Sequence, residues 1–197
     1  MISVRIGLLV TTGTIQCWGL ALVLGNGATT NSSTPVTVSS ITNAISVSIG
    51  EAHACAVLSN GSVMCWGSGQ PNFGQLGNGT NTNGSVPVTV SGITGAVAVA
   101  AGYSYACAVL SGGTIRCWGY NADGELGNGT TTNSPVPVTV NGITSGVSVA
   151  AASAYSFGHT CAILNGGTVQ CWGDNSYGEL GNGNTTNSLL PVTVTGF

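Results

Sequence analysis

Hydrophobic positions along this chain fall into short bursts that alternate with polar residues. In the stretch from 97 to 140 they read VAVAAG (97–102), CAVL (107–110), TIRCWG (114–119) and PVPVTV (135–140), each bounded by Gly, Asn, Ser or Thr. Val, Ile and Thr at alternating positions predict β-strands, and the bounding residues predict tight turns. The same four bursts recur along the chain, marked by Trp18, Trp66, Trp118 and Trp172 at spacings of 48, 52 and 54 residues. Four short antiparallel strands in a unit of about 50 residues is the pattern of a propeller blade. A solenoid is the main competitor, but its repeats are usually shorter or helical. The expected architecture is all-β: four four-stranded repeats at 1–43, 44–95, 96–145 and 146–197 in a single repeat domain. It would form a partial ring, a four-blade ring, or a ring or filament completed by other chains.

The central hairpin of each unit carries the candidate chemistry. Cys107 and Cys117 stand symmetrically about Gly112, so Ser111-Gly112-Gly113 becomes a three-residue loop with Leu110 facing Thr114. Glycine at the third loop position suits the left-handed backbone that such a hairpin requires, and Gly13, Gly61 and Gly167 hold the same place. Directly opposed residues on antiparallel strands lie close enough for a disulfide with slight adjustment. The expected bonds are Cys55–Cys65, Cys107–Cys117 and Cys161–Cys171. A redox pair would instead take C-x-x-C beside a helix start, and zinc would need four ligands in one cluster. Cys17 has Gly7 at its partner position. It is a free thiol, either buried and inert or paired between chains.

Composition narrows the function further. Only 4% of the 197 residues are charged, against roughly 25% in an ordinary globular protein, and net charge is −3. No basic cluster exists to bind nucleic acid or an anionic membrane. No apolar run approaches the ~20 residues of a membrane helix. Disulfides imply an extracellular setting. MISVRIGLLV is too short and too abruptly ended to be a secretory signal, so an export signal is not part of this chain.

Other residues weigh less. His53 and His159 precede a blade cysteine by two positions, where unit 3 has Tyr105, and read as structural hydrogen-bonding groups. Asp123, Glu125, Asp174 and Glu179 lie in the loops after the tryptophans. Their oxygens could suit Ca²⁺, but the spacing fails the EF-hand template and the equivalent Val23 and Gln75 carry no charge, so they read as solvated turn residues. The four LGNG steps read as tight turns. The four tryptophans read as packing between blades. Asn31, Asn60, Asn78, Asn83, Asn128 and Asn184 fit the glycosylation sequon.

CWGYNADGELGNGT followed by PVPVTV and then VSVAAA…HTCAIL resembles the repeat of the regulator of chromosome condensation, with the paired cysteines of its bacterial secreted branch. The resemblance covers essentially the whole chain. It implies a propeller, usually of seven four-stranded blades, that serves mostly as a protein-binding platform. The charged working face of the eukaryotic founder is missing here. No nucleophile–base–orienter set is visible, so no enzyme and no cofactor is expected. The expected role is a secreted scaffold acting by protein association, including self-association. The alternatives are a fragment of a seven-blade binding or inhibitor module and, remotely, a propeller-face lyase or hydrolase.

Overall fold

The computed structural model describes residues 6–9, 12–67, 69, 71–152 and 157–196. Fifteen strands form four antiparallel sheets, each following the chain in order. Blade 1 contains β1 (Ile6–Leu9), β2 (Ile15–Gly19) and β3 (Ser32–Thr37). Blade 2 contains β4 (Ala44–Ile49), β5 (His53–Leu58), β6 (Val63–Gly67) and β7 (Gly84–Thr89). Blade 3 contains β8 (Ala96–Ala101), β9 (Tyr105–Leu110), β10 (Ile115–Gly119) and β11 (Ser134–Thr139). Blade 4 contains β12 (Gly146–Ala151), β13 (His159–Leu164), β14 (Val169–Gly173) and β15 (Ser188–Thr193). Blade 1 is three-stranded among the described residues. The segment where its first strand would begin, residues 1–5, lies outside them, as do 153–156 in the lengthened loop of unit 4.

The hairpins explain the sheets. Leu110 N–H donates to Thr114 O at 2.9 Å and Gly113 N–H to Leu110 O at 2.8 Å, closing the three-residue loop. Gly113 has φ +80°, and Gly13, Gly61 and Gly167 are also left-handed, a conformation that costs a side-chain-bearing residue roughly 1–2 kcal/mol. This register sets Cys55 opposite Cys65, Cys107 opposite Cys117, Cys161 opposite Cys171 and Gly7 opposite Cys17.

The blades stack side by side, and the core is divided among their junctions. Between blades 1 and 2, Ile15, Cys17, Leu24, Val38 and Ile41 pack on Ala54, Ala56 and Trp66. Between blades 2 and 3, Val57, Val63, Leu76, Val90 and Ile93 meet Ala106, Ala108 and Trp118. Between blades 3 and 4, Val109, Ile115, Leu126, Val140 and Ile143 meet Ala162 and Trp172. Each junction therefore sets a branched aliphatic face against a face of small residues and one indole. Among the described residues no helix is long and apolar enough to cross a membrane.

Candidate functional site

The recurrent site is the blade junction, and its chemistry comes from three sequence features acting together. The tryptophan after the second cysteine reaches across to the preceding blade. Trp66 Nε1 donates to Val23 O (2.9 Å), Trp118 Nε1 to Gln75 O (3.0 Å) and Trp172 Nε1 to Glu125 O (2.8 Å). All three indoles are fully buried. The acceptor is always the carbonyl just before an LGNG step, and the first glycine of that step seats the ring. A Cβ on Gly25, Gly77 or Gly127 would lie 2.7–2.8 Å from the indole Nε1 of the next blade. The LGNG steps are thus tight turns and also sockets, a second role that turn chemistry alone does not reveal. The second glycine completes the tie: Gly27, Gly79 and Gly129 N–H donate to Ser85, Pro135 and Leu189 O at 2.9–3.0 Å. At the hairpin end, Gly13, Gly61 and Gly113 O accept from Ala44, Ala96 and Gly146 N–H at 2.8–2.9 Å.

Three cysteine pairs lie within blades 2, 3 and 4 as disulfides, with Cα separations of 4.1, 4.0 and 4.0 Å. They staple the middle hairpin and hold no reactive thiol. Cys17 is a free thiol buried in the junction between blades 1 and 2, where burial pushes its pKa up to about 11. A thiol enclosed there is protonated at neutral pH, which suppresses its reactivity.

The histidine positions divide. His53 is fully buried, burial pushes its pKa down to about 4, and the Tyr105 backbone lies near the ring without a well-formed hydrogen bond to either nitrogen. The expected hydrogen-bonding role is instead filled by Tyr105. Its hydroxyl donates to His159 O at 2.5 Å, accepts from Ala152 N–H at 3.1 Å and lies 3.2 Å from the Thr160 hydroxyl. Thr160 in turn donates to Glu125 O at 3.0 Å. Both side chains lie against the next blade, but only the phenol makes well-formed hydrogen bonds there.

The acidic residues are not all solvated, contrary to expectation. Asp123 and Glu179 are partly exposed, but Glu125 of blade 3 and Asp174 of blade 4 are buried where the two blades meet. Glu125 Oε2 accepts from Asp123 N–H at 2.9 Å, while Oε1 has no partner and lies against Gly158. Burial first, and then the nearby Asp123 and Asp174, raise the Glu125 pKa to about 7. Gln75 and Glu179 use a side-chain oxygen in the same way, accepting from the N–H two residues earlier. Among the described residues no group of three or more His, Cys, Asp or Glu converges to hold a metal ion.

Two loop-holding residues carry no mark in the sequence reading. Asn121 and Asn175 are fully buried, and each ties its loop together: the side-chain oxygen accepts from Leu126 or Leu180 N–H, and the amide donates to two loop carbonyls. The only signal was Asn three residues after the tryptophan in both CWGYN and CWGDN. On the outer surface of these loops Phe73 packs on Tyr120 with ring centroids 4.8 Å apart. Phe157 meets Tyr177 at 5.7 Å, and Tyr177 is 79% exposed.

Residues 44–75, 96–125 and 147–179 match one description of the regulator of chromosome condensation (RCC1) repeat, and 60–109 and 166–197 match a second. The chain is 29% identical over 196 residues to the human E3 ubiquitin-protein ligase HERC2, covering 95% of this chain and 4% of that protein. It is 29% identical over 154 residues to the ultraviolet-B receptor UVR8 of Arabidopsis thaliana, covering 77% of this chain and 34% of the receptor. Among solved structures, human WBSCR16 superposes with a TM-score of 0.84 at 23% identity, over 98% of this chain and 51% of that one. Prp20p of Saccharomyces cerevisiae, described with its binding to Gsp1p and histones, gives 0.80 at 20% identity over 98% and 48%. The chain spans about half the length of these solved propellers and less of the two sequence relatives.

Proposed function

Because this chain belongs to the RCC1 repeat family, whose propeller fold it shares, we propose that it works as a non-enzymatic protein-binding scaffold outside the cell and that its partners include further copies of itself. The relatives are mostly binding or regulatory proteins, and three intramolecular disulfides fit an oxidising compartment. One observation carries the self-association. Blade 4 leaves open what blades 2 and 3 bury: Ile163 is 46% exposed, whereas Val57 and Val109 at the same place are 0%. Few charges oppose such contact, since only 4% of the residues are charged. Size-exclusion chromatography with light scattering tests it. Mass should rise with concentration, and a strictly monomeric species throughout overturns the proposal.

A second reading makes the chain part of a larger soluble propeller that binds or inhibits another protein. The exposed Phe157–Tyr177 pair favours it, since aromatic residues are enriched at protein interfaces. Substituting both by serine should then weaken partner binding and leave self-association unchanged.

A further inference from the structure

We propose that self-association is head to tail: the open face of blade 4 docks on the open face of blade 1 of a second copy, repeating between chains the junction that each chain makes three times within itself. The inference rests on the self-association proposed above and specifies its geometry.

The tail is the face of blade 4 that matches the covered faces of blades 2 and 3. Gly74 and Gly124 press on Pro135 and Leu189 of the next blade; Gly178 meets nothing. The indole socket at Gly181 has only Val194 beside it and is partly exposed, while Gly25, Gly77 and Gly127 are buried under tryptophan. Val169 and Val194 are half-buried, whereas Val63 and Val90 are buried, and both line an open depression of ≈ 280 Å³ with Gly166, Gly167, Thr168 and Thr193.

The head carries the complementary half. Trp18 occupies the position of Trp66, Trp118 and Trp172 but is only partly buried, and no carbonyl among the described residues accepts from its N–H. By the rule of the other three junctions its acceptor is Glu179 O, and Gly183 N–H would donate to Ser33 O. Gln16 lies two residues before Trp18 on the same strand and so on the same face. The two end faces continue an established interface, and neither is protected by a row of charges. Blade 1 is not an identical copy, however. Ile6 and Leu8 stand opposite Trp18 and Gln16, where the other blades have Ala54, Ala106 or Thr160, and Ala56, Ala108 or Ala162. The contact is heterologous, the class that closes into a ring or extends into a filament.

Complementation between two end-blocked variants tests the polarity. Ile163→Glu blocks the tail and leaves the head intact. Trp18→Glu blocks the head and leaves the tail intact, with Gln16→Glu as a milder head block should Trp18→Glu fail to fold. Sedimentation velocity of the full chain across concentrations is the readout, with unfolding midpoints checking that each variant folds. Each variant alone should raise the dissociation constant about 30-fold or more, the scale of a central hot spot. The equimolar mixture should regain association but stop at two chains, because it contains one intact head and one intact tail. A mixture that stays monomeric, or single variants that associate like the wild type, overturns the head-to-tail geometry while self-association stands. A strictly monomeric wild type overturns both.

Discussion

Adding one methyl group to Gly77 should cost much more than adding it to Gly181, although the two sit in the same LGNG context. Gly77 has φ +65° and Gly181 +60°, so alanine carries the same left-handed penalty at either place, roughly 1–2 kcal/mol. The difference lies in what the methyl meets. At Gly77 it would lie 2.8 Å from both Cδ1 and Nε1 of Trp118 and 2.9 Å from Val90 Cγ1. The indole is fully buried and tethered to Gln75 O at 3.0 Å, so it has nowhere to retreat. Forcing extra volume into such packing typically costs 1–3 kcal/mol. At Gly181 the methyl meets only Val194 Cγ1 at 2.9 Å, on a half-open edge where a side chain can turn aside. Gly77→Ala should therefore destabilise by about 2–5 kcal/mol and Gly181→Ala by about 1–2 kcal/mol. At 2–4 °C per kcal/mol for a chain of this size, thermal midpoints should differ by roughly 2–12 °C. Urea unfolding followed by tryptophan fluorescence, at concentrations low enough to disperse the chain, measures both. Equal losses at the two glycines would refute the reasoning, because the socket would then add nothing to the turn.

Three further outcomes follow from the junction chemistry. Tyr105→Phe removes a hydroxyl that serves His159 O and Ala152 N–H and should cost about 1–3 kcal/mol in urea unfolding, the penalty for buried groups left unpaired. A loss within ±0.5 kcal/mol would count against that hub. Thiol titration should find no reactive cysteine in the native chain, one after denaturation without reductant and seven after reduction, since seven cysteines less three disulfide pairs leave Cys17. Native-state reaction as fast as that of an exposed thiol would contradict the burial of Cys17. The folded-state pKa of Glu125, about 7, lies above its ordinary value of 4.5, so this group's contribution is full below 4.5 and is lost as pH climbs through 7. His53, held at about 4 against an ordinary 6.5, acts in the opposite sense below 6.5. Between pH 8 and 6.5 stability should therefore rise as pH falls, and Glu125→Gln should flatten that slope. An unchanged slope in the variant would dissociate it from Glu125.

What could be read from residue order is what the chain decides locally. Strand identity follows from two-residue alternation, and the hairpin follows from one glycine at its third loop position. With that register set, Cys107 faces Cys117 without reference to any other blade. What could not be read is what a neighbouring blade does to a loop. Glu125 and Asp174 look like turn residues because their burial comes from the meeting of blades 3 and 4, which residue order does not display. Gly77 looks like half of an ordinary Asn-Gly turn, because the Trp118 ring that requires it lies 41 residues away. Tyr105 and His53 hold matched positions, and only the geometry across the junction decides that the phenol finds hydrogen-bond partners there and the imidazole does not.

The unpaired Cys17 gives this chain a built-in clock. Stacked repeats open from their weakest end, and blade 1 is the one blade without a staple across its hairpin. Its thiol is sealed by blade 2, so a reagent can reach it only while blade 1 has peeled away. The labelling rate of that single sulfur thus reports how often the first blade detaches. A copy capping the head should slow it in proportion to the time the end is occupied.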